Sequence, residues 1–288
     1  MFKFRRILFP VDFSEASKNT ASYVAWIARE FRSEVTLLHV FDFYEGFSYG
    51  LVPDSGAYNA FRNSIRVSRQ SEIDKFASGV FDHLPVARTV ELGDPAQCIA
   101  RTAEREGAGL IMMATHGMGT FRWLLLGSIT AKVLHDSPCP VWTTVHSDAL
   151  HSAPRGVASI LCALDFYAEP VRVIEAASEL ADAFGASVHL VHAIAAEAQP
   201  GREVDPELGR FLHGTAVAKI AECQRQAHSE WEVTVQSGTV RSVIRETASR
   251  YQADMVVIGR GHLAENFGRL RSHTAAIIRE SRCPVLSV

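Results

Sequence analysis

One loop carries residue types suited to holding phosphate: ATHGMGTFRWLLLGS, residues 114–128, where nine residues separate Gly117 from Gly127 and a hydroxyl, Ser128, follows at once. Glycine first means permissive backbone, so the loop read alone also fits a plain turn. A helix beginning at Gly127–Ser128 would aim free backbone N–H groups and the positive end of its dipole at an anion, with the Ser128 hydroxyl as a further donor. Asp12, at the end of the first apolar run, offers a carboxylate acceptor for a ribose hydroxyl or a base amine. It also suits capping of the following helix, and the two roles are compatible. His116, inside the loop, has acid–base chemistry, but neither a carboxylate nor a nucleophile stands at a recognisable spacing from it. There is no GxxxxGK[ST], and GMGTFR fails GxGxxG, which excludes the other phosphate loops.

The elements that must position these residues alternate. Strand-length runs stand at Arg6–Val11, Glu34–Val40, Val86–Leu92, Leu110–Ala114 and Val141–Val145. Between them, residues 14–31 read as a helix behind Ser14 as N-cap, with Ala21, Val24, Ala25 and Ala28 at helical spacing. Residues 94–106 open with Asp94 as cap and Pro95 at the first helical position. Alternation of this kind implies right-handed crossovers and a parallel sheet with helices on both faces. In such sheets ligands sit outside the carboxyl ends of the strands, where Asp12 and the Gly117 loop both lie.

The pattern occurs twice. RRILFPVDFSEAS (5–17) matches ASILCALDFYAEP (158–170), VTLLHVF (35–41) matches VHLVHAI (188–194), Gly93 matches Gly238, and SPCPVWTTV (137–145) matches SRCPVLSV (281–288). Four matches in one order make the chain a tandem duplication of two α/β, doubly wound domains, 1–147 and 155–288. The break falls in HSDALHSAPRG (146–156), a small and polar stretch. His39 and His192, matched within the second strands, read as structural histidines, and Cys139 and Cys283 as small buried residues.

Of the 288 residues, 47% are hydrophobic and 21% charged, as in a globular protein with a real core. A net charge of −3 gives no general attraction to nucleic acid or anionic membrane. Five cysteines without a CxxC pair suggest reduced thiols in a cytoplasmic protein, with no metal framework. No run of eighteen apolar residues exists, and Pro10 and Asp12 break the N-terminal run, so neither a membrane span nor a signal peptide is expected.

Taken as a set, FPVDFSEAS, LLHVF, ATHG, the nine residues, GS and SPCPVW resemble the universal stress protein family, and the resemblance covers both halves almost end to end. One departure is Ala114, where the family motif has its leading glycine; it adds one methyl group. The resemblance implies an adenine nucleotide alpha hydrolase-like, Rossmann-like fold with five parallel strands per domain in the order 3-2-1-4-5. It also implies an ATP or AMP site lined by Pro10, Val11, Asp12, Val40, Met113, Ala114, Gly117, Gly127, Ser128, Ile129 and Thr130, with Mg2+ accompanying ATP. Pairing of the last strands, between domains as an internal pseudo-dimer or between chains as a homodimer, is implied in the same way.

The second copy diverges at Asp165, Gly259, Arg260, Gly261, Arg271 and Ser272: its loop is one residue shorter, and Arg271 stands where the first copy has Gly127. It reads as a closed, degenerate pocket or as an anion site built from arginine. The expected function is nucleotide binding in stress response or signalling, without rapid turnover. The alternatives are a scaffold acting through protein partners and a slow ATPase or phosphotransferase; the missing Walker lysine and metal-holding carboxylate pair disfavour the latter.

Overall fold

In the first half the apolar runs become β1 (Arg6–Pro10), β2 (Glu34–Phe41), β3 (Val86–Leu92), β4 (Leu110–Ala114) and β5 (Val141–Thr144). The computed structural model of the protein describes residues 4–42, 56–116, 126–144, 156–167, 169–194, 206–260 and 270–288, with backbone only for 270–273. Two compact units divide the chain, residues 3–154 and 155–288.

Within the first unit the strands pair in parallel in the order β3-β2-β1-β4-β5. Ile7, Leu8 and Phe9 are successive residues of β1, and each is at most 1% exposed. Burial of consecutive residues means that both faces of the strand are covered, as a parallel sheet requires. The described helices are α1 (Glu15–Glu30), α2 (Gly56–Lys75), α3 (Pro95–Glu106) and α4 (Ser128–Asp136). The starts of α1 and α3 follow from side-chain chemistry. Ser14 accepts from the Ser17 N–H to cap α1, and Asp94 accepts from the Gln97 N–H to cap α3, with Pro95 in its first turn.

The second unit repeats the plan with β6 (Ser159–Ala163), α5 (Pro170–Phe184), β7 (Ser187–Ile194), α6 (Pro206–Gln226), β8 (Glu232–Ser237), α7 (Val240–Arg250), β9 (Met255–Ile258), α8 (Leu270–Glu280) and β10 (Val285–Ser287). Its strands are parallel in the order β8-β7-β6-β9-β10.

Small differences from the sequence expectation have local causes. β1 closes at Pro10 and not Val11, although the Val11 N–H still donates to Leu38 O at 2.8 Å. β2 runs one residue further, to Phe41, because β3 pairs with it from Val35 through to Phe41. Val145 lies outside the described residues. The helices α2 and α6, which the apolar pattern did not reveal, are the larger difference. No helix among the described residues is long and apolar enough to cross a membrane.

One contact recurs in both copies. His39 Nδ1 donates to Val11 O at 2.8 Å, and His192 Nδ1 donates to Leu164 O at 2.9 Å. Each imidazole carries a phenylalanine ring at 4.3 Å, Phe13 on His39 and Phe166 on His192. Both histidines thus tie down the backbone just past a strand end. Phe13 reaches the His39 ring from a left-handed conformation (φ 63°), which costs a bulky residue about 1–2 kcal/mol.

Burial also gives the fold a pH dependence. Desolvation holds His39 below the usual imidazole range of 6.5, outweighing the bond to Val11 O. His189, stacked on Tyr251 and bonded through Nε2 to Thr234 Oγ1, is lowered for the same reason despite Glu232 nearby. A histidine kept neutral by the fold binds its proton more readily when unfolded. Stability is therefore full above the unfolded value of 6.5 and falls as pH drops through it. Melting temperatures should decline between pH 7.5 and 5.5 by on the order of 2–4 °C per kcal/mol lost, and less in a His39→Gln, His189→Gln variant. A flat wild-type profile over that range would refute the assignment.

Candidate functional site

β1 and β4 are adjacent in the sheet, so the chain leaving their carboxyl ends borders one crevice. There the first unit has a cavity of about 340 Å³, within the size range of small-molecule sites. Pro10, Val11, Asp12, Val40, Met113, Ala114, Gly127, Ser128, Ile129 and Thr130 all line it. Gly117, the remaining residue of the expected set, lies outside the described residues.

Asp12 is held by hydroxyls. Its Oδ1 accepts from Ser14 Oγ at 2.6 Å, Ser17 Oγ at 2.5 Å and the Ser14 N–H at 3.1 Å. These three donors fix the carboxylate plane, while Oδ2 has no partner among the described residues. Capping of α1 falls to Ser14, and Asp12 orients that cap. The two roles considered for Asp12 thus combine: one oxygen organises the turn and the other remains available as an acceptor.

The opposite end of the crevice is the start of α4. Gly127 is its N-cap and has no side chain to satisfy the first turn. The Gly127 N–H donates to Thr115 O at 3.0 Å, and the first helical bond runs from Ala131 N–H to Gly127 O at 2.9 Å. The N–H groups of Ser128, Ile129 and Thr130 in between are left to solvent or a ligand. Thr130 Oγ1 is occupied, donating to Ala114 O at 3.2 Å, and so ties the helix start to the end of β4.

Gly127 has an ordinary φ of −57°. A Cβ there would stand 3.2 Å from Thr115 O and 3.5 Å from Thr130 Oγ1. The close approach of this chain's own backbone therefore favours glycine at this position.

The remaining lining explains the cavity's shape. Leu38 and Ile99 add apolar surface beside Val40 and Met113, and Pro95 brings in the start of α3. That helix start is fixed by Asp94, whose carboxyl is lowered first by the Gln97 N–H and also by Lys132, whose Nζ lies 3.2 Å away. His116 also lines the cavity; it is buried, and its Nδ1 lies 3.0 Å from Thr115 Oγ1. Sequence reasoning missed Ser17, Leu38, Pro95 and Ile99 as lining residues. For Ser17 the signal was its place in the first turn of a helix capped next to Asp12.

Chemically the crevice offers an apolar wall, one half-buried carboxylate and a helix start with open N–H groups. That combination fits a ligand with a flat apolar body, a hydroxyl-bearing middle and an anionic end. Among the described residues no three His, Cys, Asp or Glu side chains converge as a metal site would need.

The second unit lacks this arrangement where it is described. Asp165 is exposed, and its Oδ1 accepts only the Tyr167 N–H, at 3.0 Å. Tyr167 and Pro170 stand where the first copy has Ser14 and Ser17, so no hydroxyl pair holds the carboxylate. Gly259 and Arg260 follow β9, with the Arg260 N–H donating to Val288 O at 3.0 Å. Gly261 lies outside the described residues; Arg271 and Ser272 fall in the first turns of α8.

Comparison with known proteins gives a consistent result. The profile of the universal stress protein family matches the chain twice, over residues 3–144 and 157–288. A universal stress protein of Methanocaldococcus jannaschii is 28% identical over 150 residues, which is 48% of this chain and 93% of that protein. One from Thermus aquaticus is 30% identical over 141 residues, 48% of this chain and 96% of its own length. A solved universal stress protein from Archaeoglobus fulgidus superposes with a TM-score of 0.67 at 23% identity, covering 99% of this chain and 96% of that one.

Proposed function

The chain belongs to the universal stress protein family, and from that premise we propose that the crevice of its first unit binds an adenine nucleotide, ATP or AMP, in stress response or signalling. The observation that carries this reading is the cavity itself, which brings Asp12, Val40, Met113 and the open start of α4 to one lining. In this reading the base lies against Val40 and Met113, a ribose hydroxyl donates to Asp12 Oδ2, and phosphate oxygens accept from the Ser128 and Ile129 N–H groups. Mg2+ would enter with the phosphates of ATP, since among the described residues Asp12 is the one carboxylate of the lining.

Binding without rapid turnover is part of the proposal. Hydrolysis needs a positioned base and charge stabilisation at the transferred phosphoryl group. Among the described residues the titratable lining consists of Asp12 and His116, and Asp12 Oδ1 is taken up by Ser14 and Ser17 while Oδ2 faces the ribose in this reading. One nucleotide per chain is expected, because the second unit holds Asp165 without hydroxyls.

Titration calorimetry with ATP and AMP tests the reading. Asp12→Ala should lower affinity tenfold or more, about 1.4 kcal/mol, with the fold retained. Equal affinity of wild type and variant would remove Asp12 from the site, and no binding of either nucleotide would overturn the proposal.

The same proposal includes pairing through the last strand of each unit, β5 and β10. A strand with one neighbour in its own sheet presents a row of open backbone groups, which favours pairing with a second strand.

A further inference from the structure

A second cavity, of about 580 Å³, lies in the second unit between α7 and α8, at the amino ends of β9 and β10. It is at the opposite end of its strands from the position that corresponds to the nucleotide crevice. Its inner wall is apolar, with Ile244, Val256 and Ile277 all buried.

Charge at the rim is unevenly balanced. Glu280 is engaged twice, by Arg241 at 3.0 Å and by Arg279 at 3.1 Å. Glu246 accepts from Gln236 Nε2 at 3.4 Å. Arg245 and Arg282 also line the cavity, and neither has a hydrogen-bond or ion-pair partner among the described residues. Alignment of Gly93 with Gly238 places Ala100 opposite Arg245, and alignment of Cys139 with Cys283 places Pro138 opposite Arg282. Both guanidiniums therefore belong to the second copy alone.

An apolar pocket bordered by a few polar groups is the usual form of a small-molecule site. Guanidinium is the side chain best suited to carboxylate or phosphate at such a border, since its planar fork donates two parallel bonds. We infer that the cavity between α7 and α8 binds a small amphiphilic anion, its apolar body against Ile244 and Ile277 and its acidic head between Arg245 and Arg282. This site is independent of the nucleotide crevice.

Octanoate is a suitable probe, with octanol and acetate representing the apolar body and the head alone. Calorimetry on the full chain should show saturable 1:1 binding of octanoate, with Ile244 and Ile277 methyl resonances shifting along the same curve. Octanol and acetate should each bind at least tenfold more weakly. Arg245→Gln combined with Arg282→Gln should lower octanoate affinity at least tenfold without changing the melting temperature, since both side chains are exposed and unpaired. Saturating ATP should leave the octanoate titration unchanged. The inference is overturned if octanoate binding is not saturable, if octanol binds equally well, if the double variant keeps full affinity, or if ATP displaces octanoate.

Discussion

Gly127→Val should lower nucleotide affinity by roughly 100-fold, about 2.8 kcal/mol at 1.4 kcal/mol per decade. The glycine backbone is in an ordinary helical-cap conformation, so a side chain meets no torsional penalty. The obstacle is Thr115 O, 3.2 Å from where a Cβ would stand. That oxygen belongs to the backbone and already accepts the Gly127 N–H at 3.0 Å, so it cannot rotate away. A branched side chain must push the start of α4 off the end of β4, turning the Ser128 and Ile129 N–H groups from the crevice. Gly127→Ala asks only for a shift of a few tenths of an ångström, and its loss should lie between wild type and valine. Calorimetry with ATP reads the affinities, and hydrogen exchange on α4 shows whether the helix start has moved. Undiminished binding by the valine variant would show that the helix start is not where the ligand's anionic end is held.

Residues 1–147 expressed alone should form a dimer at micromolar concentration, an association of about 8 kcal/mol or more. In its own unit β5 pairs with β4 on one side, through Ile111–Val141 to Ala114–Thr144, and among the described residues no other strand of that unit takes the second side. The segment Val141–Thr144 is apolar and β-branched enough to pair readily. Sedimentation of the fragment, with circular dichroism to establish that it folds, gives the answer. A folded monomer would argue against pairing through the last strand.

Much of this architecture could be read from residue types. Ser14, Asp94 and Pro95 announce helix starts by mechanism, because each satisfies or avoids an unpaired N–H. The strands of the sheet announce themselves as short apolar runs because they are covered on both faces. The helices α2 and α6 gave no such signal. Among their described side chains, Ile73 is the buried residue of α2, and Ala216 and Ile220 are those of α6. With so little apolar stripe, periodicity has nothing to report, and length and local propensity decide the helix.

The lining of the candidate crevice was legible for a different reason. Its residues stand next to strand ends, and strand ends can be located from sequence. The contacts between neighbouring turns cannot, and Ser17 on Asp12 is one of these. At Gly127 the structure adds a constraint that the sequence does not display, the approach of Thr115 O to within 3.2 Å of where a Cβ would stand.

The matched histidines have a consequence for how the duplicated gene could drift. His39 on Val11 O and His192 on Leu164 O secure the end of the central strand without help from the loop beyond it. Anchored this way, a copy can lose its loop chemistry and still fold. The first copy carries Asp12 held by Ser14 and Ser17; at the matched positions the second has Tyr167 and Pro170, and it has Arg245 and Arg282 where the first has Ala100 and Pro138. With the anchor separate from the loop, the two halves can share one backbone while their loops differ in chemistry.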